Sequence, residues 1–137
     1  MSKKKDYKFS YLKSGVNVSL GNKIIEKIKP ISKKTANKNV IAGIGGFGAV
    51  YNLNVKNYKK PLLVSCTDGV GTKLLIAKEL KYFKSIGIDL VAMSVNDVIV
   101  QGAKPLFFLD YIAVEKIYKN QILDLVKGIS KGCLMAN

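Results

Sequence analysis

Residues 87–101 (GIDLVAMSVNDVIVQ) constrain the fold of this 137-residue chain more than any other segment. At helical spacing the segment is apolar almost all round, which predicts a helix buried among other elements. It is too short, and too often interrupted by polar groups, to span a bilayer. Its polar residues Asn96 and Asp97 therefore need partners or a solvent cleft, because an unpaired buried carboxylate is strongly unfavourable.

The spacing of apolar residues changes along the rest of the chain and predicts both helices and strands. Helical spacing recurs over 22–30, 72–84, 87–101 and 120–136, with a break expected near Pro30. β-Branched, aromatic and alternating apolar residues predict strands near 49–55, 61–67 and 105–114. The predicted fold class is therefore α+β, with a mixed sheet covered by helices on one face.

Composition limits the class of protein. The chain is long enough for one domain, and with 48% hydrophobic and 23% charged residues it is expected to pack as an ordinary globular protein. The absence of histidine excludes triads and zinc sites that depend on it, and Cys66 and Cys133 lack metal-ligand spacing. Because neither a membrane span nor a signal peptide is recognisable, we expect a cytoplasmic location and no membrane partner.

The net charge of +14 comes mainly from the N-terminal half. Residues 1–60 hold 14 lysines against two acids, whereas residues 61–137 hold nine against seven. Specific nucleic-acid readers usually combine arginine with stacking aromatics, and here every basic residue is lysine. We therefore expect a solvated basic face and no nucleic-acid partner. Residues 1–20 are expected to be a flexible basic segment ahead of a domain over 21–137.

Residues 43–48 (GIGGFG) match the G-x-G-x-x-G pattern of dinucleotide-binding loops. Such a loop must open a helix, whereas the residues that follow here are β-formers, so this interpretation is excluded. A glycine loop that leads into a strand can still bring backbone N–H groups close to a phosphate. The alternative is a flexible hairpin entry without a ligand.

A second candidate site begins at Asp68, on a glycine-bounded turn after the 61–67 strand. Carboxylate and amide oxygens from Asp68, Asn96 and Asp97 would suit Mg²⁺, which usually keeps water and substrate phosphate in its shell. Lys73 follows the turn, but its spacing does not form a P-loop. The structural alternative is that Asp68 caps a helix starting near Thr72 and that Asp97 pairs with a lysine.

Three motifs go beyond spacing: TDGVGTK at 67–73, GIDLVAMSVND at 87–97 and VQGAKPLFFLDY at 100–111. In this order they resemble the phosphoribosylformylglycinamidine cyclo-ligase (aminoimidazole ribonucleotide synthetase) family, whose opening segments resemble residues 10–22 and 43–53. The resemblance implies the N-terminal ATP-binding domain of that superfamily, with strands that pool into a barrel in a homodimer. It also implies that the 21–137 domain is incomplete at its C-terminus and that a C-terminal α/β domain is absent.

The activity implied by the resemblance is ATP-dependent cyclisation of formylglycinamidine ribonucleotide to aminoimidazole ribonucleotide in de novo purine biosynthesis. ATP phosphorylates the amide oxygen, and a nitrogen then attacks that carbon and expels phosphate. By resemblance, Asp68, Asn96 and Asp97 hold Mg²⁺ on the ATP phosphates, while Lys73 and Asp97 are the catalytic residues. The residues expected to contact the nucleotide are Gly45, Gly46, Gly48, Asp68, Gly69, Gly71 and Thr72.

Several residues depart from the family pattern. The opening usually reads G-V-D-I-D, where this chain has Asn17 and Ser19; Lys104 replaces a glutamate and Cys66 a glycine. A second hypothesis is therefore a non-catalytic remnant that only dimerises or binds a partner. A third is another enzyme of the superfamily, such as thiamine-monophosphate kinase, the hydrogenase-maturation dehydratase or selenophosphate synthetase. The last of these is disfavoured because no cysteine precedes the glycine loop. In all cases the isolated chain is expected to be inactive.

Overall fold

The computed structural model describes residues 10–46 and 48–137. These residues form an α+β arrangement in which helices predominate and the sheet is small. The elements in chain order are α1 (Val18–Lys33), β1 (Val40–Ala42), β2 (Val50–Tyr51), a 3₁₀ turn (Val55–Asn57), α2 (Lys73–Leu80), α3 (Lys84–Ile99) and α4 (Lys119–Ala136).

Helix α1 starts earlier and ends later than its apolar spacing predicts. Asn17 caps it, since the side-chain oxygen accepts a hydrogen bond from the N–H of Leu20 at 2.9 Å. Pro30 lies inside the helix, so the predicted break at this residue is wrong. The proline only removes one backbone donor on an exposed face, and the helix continues to Lys33. Of the predicted flexible segment, residues 1–9 lie outside the described residues and 18–20 form the first turn of α1.

Helices α3 and α4 form the best-packed part of the molecule because their backbones touch. A Cβ atom added to Gly128 would lie 2.0 Å from the carbonyl oxygen of Lys84, and one added to Gly87 would lie 2.2 Å from that of Leu125. Glycine is therefore required at this crossing. Helix α1 joins the pair through the buried Ser130 hydroxyl, which donates to the carbonyl oxygen of Ile31 at 3.3 Å. The buried apolar side chains are Ile24, Ala77, Ile86, Val91, Val126 and Ile129.

The predicted helix over 87–101 is confirmed as α3, but its burial on all sides is not. Val91 is only 2% exposed against α4, whereas Asn96, Asp97 and Val100 are exposed. The reason is that α4 covers one face of the helix, while the extended segment 61–67 lies beside its other side without enclosing it. The last turn of α3 thus presents polar groups to solvent, where no buried partner is needed.

The predicted three-stranded sheet is wrong for the described residues, which contain one antiparallel pair of short strands. In this hairpin Val40 lies opposite Tyr51 and Ala42 opposite Val50, with an irregularity between the two pairs. Residues 61–67 and 105–114, called the extended segments below because the sequence predicts strands there, belong to no helix and form no ladder hydrogen bonds. A strand needs a neighbour for its backbone groups, whereas each helix satisfies its own.

These extended segments leave a large apolar surface uncovered. Leu62 is 93% exposed and Tyr111 is 89% exposed, and the two segments line an open groove of about 1710 Å³. The total accessible surface is 11494 Å², whereas a compact monomer of this mass exposes roughly 7,000 Å². Much apolar surface therefore remains exposed to solvent. None of the described helices combines the length and apolar character that crossing a membrane requires.

Candidate functional site

The glycine loop over 43–48 connects β1 to β2, which confirms that it leads into a strand and not into a helix. Gly45 has a φ of +123°, a conformation that favours glycine. Lys29 of α1 lies alongside the loop, since a Cβ atom at Gly45 would be 3.5 Å from its Cε and 3.9 Å from its Nζ. This ammonium group also pairs with Glu26 at 2.6 Å. No sequence pattern indicates that Lys29 lies beside this loop.

The turn after residues 61–67 is built around Asp68, whose carboxylate accepts a hydrogen bond from the N–H of Gly69 at 2.7 Å. Gly71 has a φ of +65° and allows the chain to enter α2. Thr72 precedes this helix without a side-chain capping bond, so the alternative in which Asp68 caps the helix is wrong. Asp68, Gly69, Gly71 and Thr72 are all exposed.

One contact fixes this turn relative to α3: the thiol of Cys66 donates to the carbonyl oxygen of Ser94 at 3.2 Å. Asp68 follows two residues after Cys66, which an extended chain covers in roughly 7 Å. Asp97 follows three residues after Ser94, a rise of about 4.5 Å along a helix. The contact therefore places the residues just before the turn beside the C-terminal half of α3, whereas Asp68 and Asp97 themselves line different cavities.

Asp97 lines a smaller cavity of about 510 Å³, together with residues 63–66. Asp68 instead lines the large groove, and residues 63–66 are part of both walls. The structure describes three ion pairs among its residues, and Asp97 takes part in none of them. The alternative in which Asp97 pairs with a lysine is therefore wrong within the described part of the chain.

The donor set fits Mg²⁺ only as an open site. Asp68 and Asp97 supply two exposed carboxylates and Asn96 an exposed carboxamide. Among residues 10–46 and 48–137, no group of three or more acidic, cysteine or histidine residues could enclose a metal ion. Mg²⁺ commonly binds one or two carboxylates and takes its remaining ligands from water and phosphate. The chemistry of these residues suits that mode and not a closed cage.

Lys73 is the first residue of α2, and its ammonium group donates to the carboxylate of Asp89 on α3. It also lies 3.9 Å from the sulfur of Met93. Sequence reasoning singled out Lys73 but missed Asp89. The available signal was helical spacing, since Asp89, Met93 and Asn96 follow each other at i, i+4 and i+7 and so share a face.

A separate pair of titratable groups lies at the junction of the 105–114 segment and α4. Partial desolvation raises the pKa of Asp110, although the residue is exposed at the surface, and a hydrogen bond from the N–H of Tyr111 opposes this effect. Desolvation also raises the pKa of Cys133; the negative charge of Asp110 adds to the increase, and the N–H of Cys133 opposes it. Both effects favour the neutral thiol at neutral pH.

Comparison with known proteins shows which family this chain resembles. A model of the family described as "AIR synthase related protein, N-terminal domain" matches residues 45–137. The chain is 52% identical over 128 residues to a phosphoribosylformylglycinamidine cyclo-ligase of Desulfatibacillum aliphaticivorans. It is 56% and 55% identical to proteins of the same name from Carboxydothermus hydrogenoformans and Thermoanaerobacter pseudethanolicus.

Each of these three alignments covers 93% of this chain, so the similarity extends upstream of the family model. The chain spans about 37% of the length of these curated relatives. The family model itself matches well over half of the chain and includes the turn at Asp68 and Gly69 (the DG turn), α2, α3 and α4. The chain therefore belongs to the AIR synthase related family, whose N-terminal domain it matches.

Proposed function

We propose that this chain is the ATP-binding part of a cytoplasmic cyclo-ligase that converts formylglycinamidine ribonucleotide to aminoimidazole ribonucleotide. The observation that supports the proposal is the contact between Cys66 and Ser94, which holds the chain two residues before Asp68 against α3, three residues before Asp97. Both carboxylates stay exposed and outside the described ion pairs. Identity above 50% to curated cyclo-ligases supports the same activity.

The nucleotide would lie between the glycine loop and the DG turn. Gly45, Gly46 and Gly48 have exposed backbones on the β1–β2 connection, beside the ammonium group of Lys29. Gly69, Gly71 and Thr72 present exposed backbone next to Lys73. Backbone donors without an obstructing side chain, combined with two nearby ammonium groups, suit the oxygens of a triphosphate.

Asp68, Asn96 and Asp97 are the residues that would hold Mg²⁺. When bound, Mg²⁺ supplies neutralisation of phosphate charge. The part left to this chain is to orient ATP and to provide positive charge through Lys73 where negative charge develops. Positioning of this kind accounts for much of phosphoryl-transfer catalysis and requires no histidine.

We also propose that two copies of the chain associate through the extended segments 61–67 and 105–114. Their backbones lack ladder partners, and their apolar side chains are exposed. Pairing between copies would satisfy both requirements and produce a barrel across a two-fold axis. The alternative, a module that only dimerises, uses the same surface but would not need the unpaired Asp68 and Asp97.

The test adds the remainder of the length that the curated relatives have and this chain does not span. We would join Asn137 to the C-terminal remainder of the Carboxydothermus relative and measure aminoimidazole ribonucleotide formed from formylglycinamidine ribonucleotide and ATP. The joined protein should turn over, whereas the 137-residue chain alone should not. Loss of the orienting wall removes a contribution of roughly 7–11 kcal/mol from positioning.

Asp97→Asn in the joined protein should lower kcat by about 100-fold, because the site would lose a charged oxygen ligand. Asp124→Asn is the matched control, since Asp124 is an exposed α4 carboxylate paired with Lys127 at 3.0 Å. A joined protein that folds and binds Mg-ATP but forms no product would favour the non-catalytic alternative. An unchanged rate in Asp97→Asn would remove Asp97 from the site.

A further inference from the structure

Lys73 occupies a position that is electrostatically unfavourable for a lysine. It is the first residue of α2, and the first turn of this helix contains no acidic residue. The positive end of the helix dipole disfavours a cation there. Its ammonium group is not left in solvent: it crosses to α3, sixteen residues further along the chain, and donates to Asp89.

The pair between Lys73 and Asp89 has little to contribute to stability. The side chains are 46% and 38% exposed, and ion pairs so open to solvent are usually weak. Its clear effect is geometric, because it links two elements that are otherwise separated by the 81–83 turn. The sulfur of Met93, one helical turn beyond Asp89, contacts the same ammonium group at 3.9 Å. Asp89 and Met93 together define where the charge lies.

The ammonium group of Lys73 lies on one particular face of α3. Asp89, Met93 and Asn96 share one helical face, and Asn96 belongs to the set proposed to hold Mg²⁺. A lysine extended from the start of α2 could otherwise adopt many rotamers, most of them pointing into solvent. The pair with Asp89 draws it onto the face that leads to Asn96.

We propose that Asp89 is a positioning residue that holds the ammonium group of Lys73 on this face of α3, ready to meet the phosphates of ATP. The inference rests on the proposed function for the identity of the phosphate ligand. The placement of Lys73 by Asp89 can be tested without turnover.

The first test measures acetylation of individual lysines by an N-hydroxysuccinimide ester, using peptide mass spectrometry on the 137-residue chain. In Asp89→Asn, Lys73 should react at least about threefold faster than in the unmodified chain, because a released amine is more accessible. Lys127 should react at its original rate, and Asp89→Glu should keep Lys73 slow. Asp124→Asn, which removes a pair of similar exposure, should accelerate Lys127 and not Lys73. An unchanged Lys73 rate in Asp89→Asn overturns the inference.

The second test is a double-mutant cycle in the joined protein. Asp89→Asn should lower kcat about tenfold or more, while the KM for ATP should stay within about threefold of that of the unsubstituted joined protein. The reason is that the positive charge of Lys73 remains but is misplaced. In a Lys73→Ala background the same substitution should have no further effect, because Asp89 acts through Lys73. A full additional loss in that background, or an unchanged kcat in Asp89→Asn alone, overturns the positioning role. A joined protein without any turnover contradicts the proposed function, and the acetylation rates still decide whether Asp89 holds Lys73.

Discussion

The pair of helices α3 and α4 and the two extended segments, 61–67 and 105–114, differ in how much of their structure the chain completes alone. The helices touch through Gly87 and Gly128 and bury Val91 and Ile129. The extended segments have no ladder hydrogen bonds, and several of their large apolar side chains are more than half exposed. The extended segments are in fact the richer in apolar residues, with 12 of 17 against 18 of 34 in the two helices.

The difference lies in where each element finds its partners. A helix pairs its backbone groups within four residues, so it needs a neighbour only for its apolar face. A strand needs a neighbour for its backbone as well, and that neighbour can belong to another chain. Apolar content therefore indicates that a segment will be covered, but not by which polypeptide.

The helical contact should respond most strongly to substitution. Gly128→Ala should lower the free energy of unfolding by about 3 kcal/mol, because the new Cβ would overlap the carbonyl oxygen of Lys84 and force the helices apart. Urea denaturation followed by circular dichroism would measure the change. Gly43→Ala is the control, since no atom lies within 4 Å of a Cβ there and φ is outside the positive range. A loss below about 0.5 kcal/mol would contradict the close contact.

The extended segments should control association. We expect the chain to sediment as a dimer or larger species at micromolar concentration. The double substitution Leu62→Lys and Leu109→Lys should raise the Kd for self-association at least tenfold. These side chains are 93% and 66% exposed. Leu134→Lys, at a 58% exposed position near the end of α4, should leave association unchanged. A stable monomer of the unmodified chain would show that these segments are not an interface.

One aromatic contact joins the 105–114 segment to the hairpin, and its removal should have a smaller effect. The rings of Phe107 and Tyr51 lie 5.1 Å apart between centroids, tilted by 41°. Phe107 is 47% exposed, so Phe107→Leu should cost only about 1 kcal/mol in urea denaturation of the monomeric double-lysine variant. A loss as large as that in Gly128→Ala would mean that the segment is as well fixed as the helices.

The smallest effect concerns the thiols. At pH 8 iodoacetamide should modify the exposed Cys66 about tenfold faster than the half-buried Cys133, whose pKa is raised first by desolvation and then by Asp110. A raised pKa means less thiolate at a given pH, so Asp110→Asn should accelerate Cys133 by about twofold. Rates from peptide mass spectrometry that were equal for the two thiols would contradict this. Because the pKa of Cys133 is raised in the folded protein, its contribution to the free energy of unfolding is fully present at pH values below the pKa of the unfolded thiol. This contribution is lost as the pH rises through the raised pKa of the folded protein.

Helical spacing was sufficient to predict α3 and α4, because Ile122, Val126, Ile129 and Cys133 repeat at intervals that only a helix places together. It could not reveal that Pro30 is tolerated, since this depends on an exposed helix face. The 61–67 and 105–114 segments were assigned to one sheet because their composition suits strands, but composition does not specify the partner.

The candidate site was predictable in its residue types and not in its pairings. Asp68, Lys73 and Asp97 stand out in the sequence because charged groups interrupt glycine-rich or apolar stretches. Helical spacing places Asp89 on the same face as Asn96, but it does not encode the link between Lys73 and Asp89, which joins two helices across a turn. The position of Lys29 beside Gly45 depends in the same way on how α1 lies against the hairpin connection.

The direct contact between the α3 and α4 backbones should also restrict how the two helices move. Without a layer of side chains between them, the two helices have little room to slide, so they should move as one rigid body. The face of α3 that carries Asp89, Met93 and Asn96 would then keep its geometry while the neighbouring loops move. Any opening that admits the proposed nucleotide would then fall to the exposed glycine loop between β1 and β2, where no packed core resists a change in backbone dihedral angles.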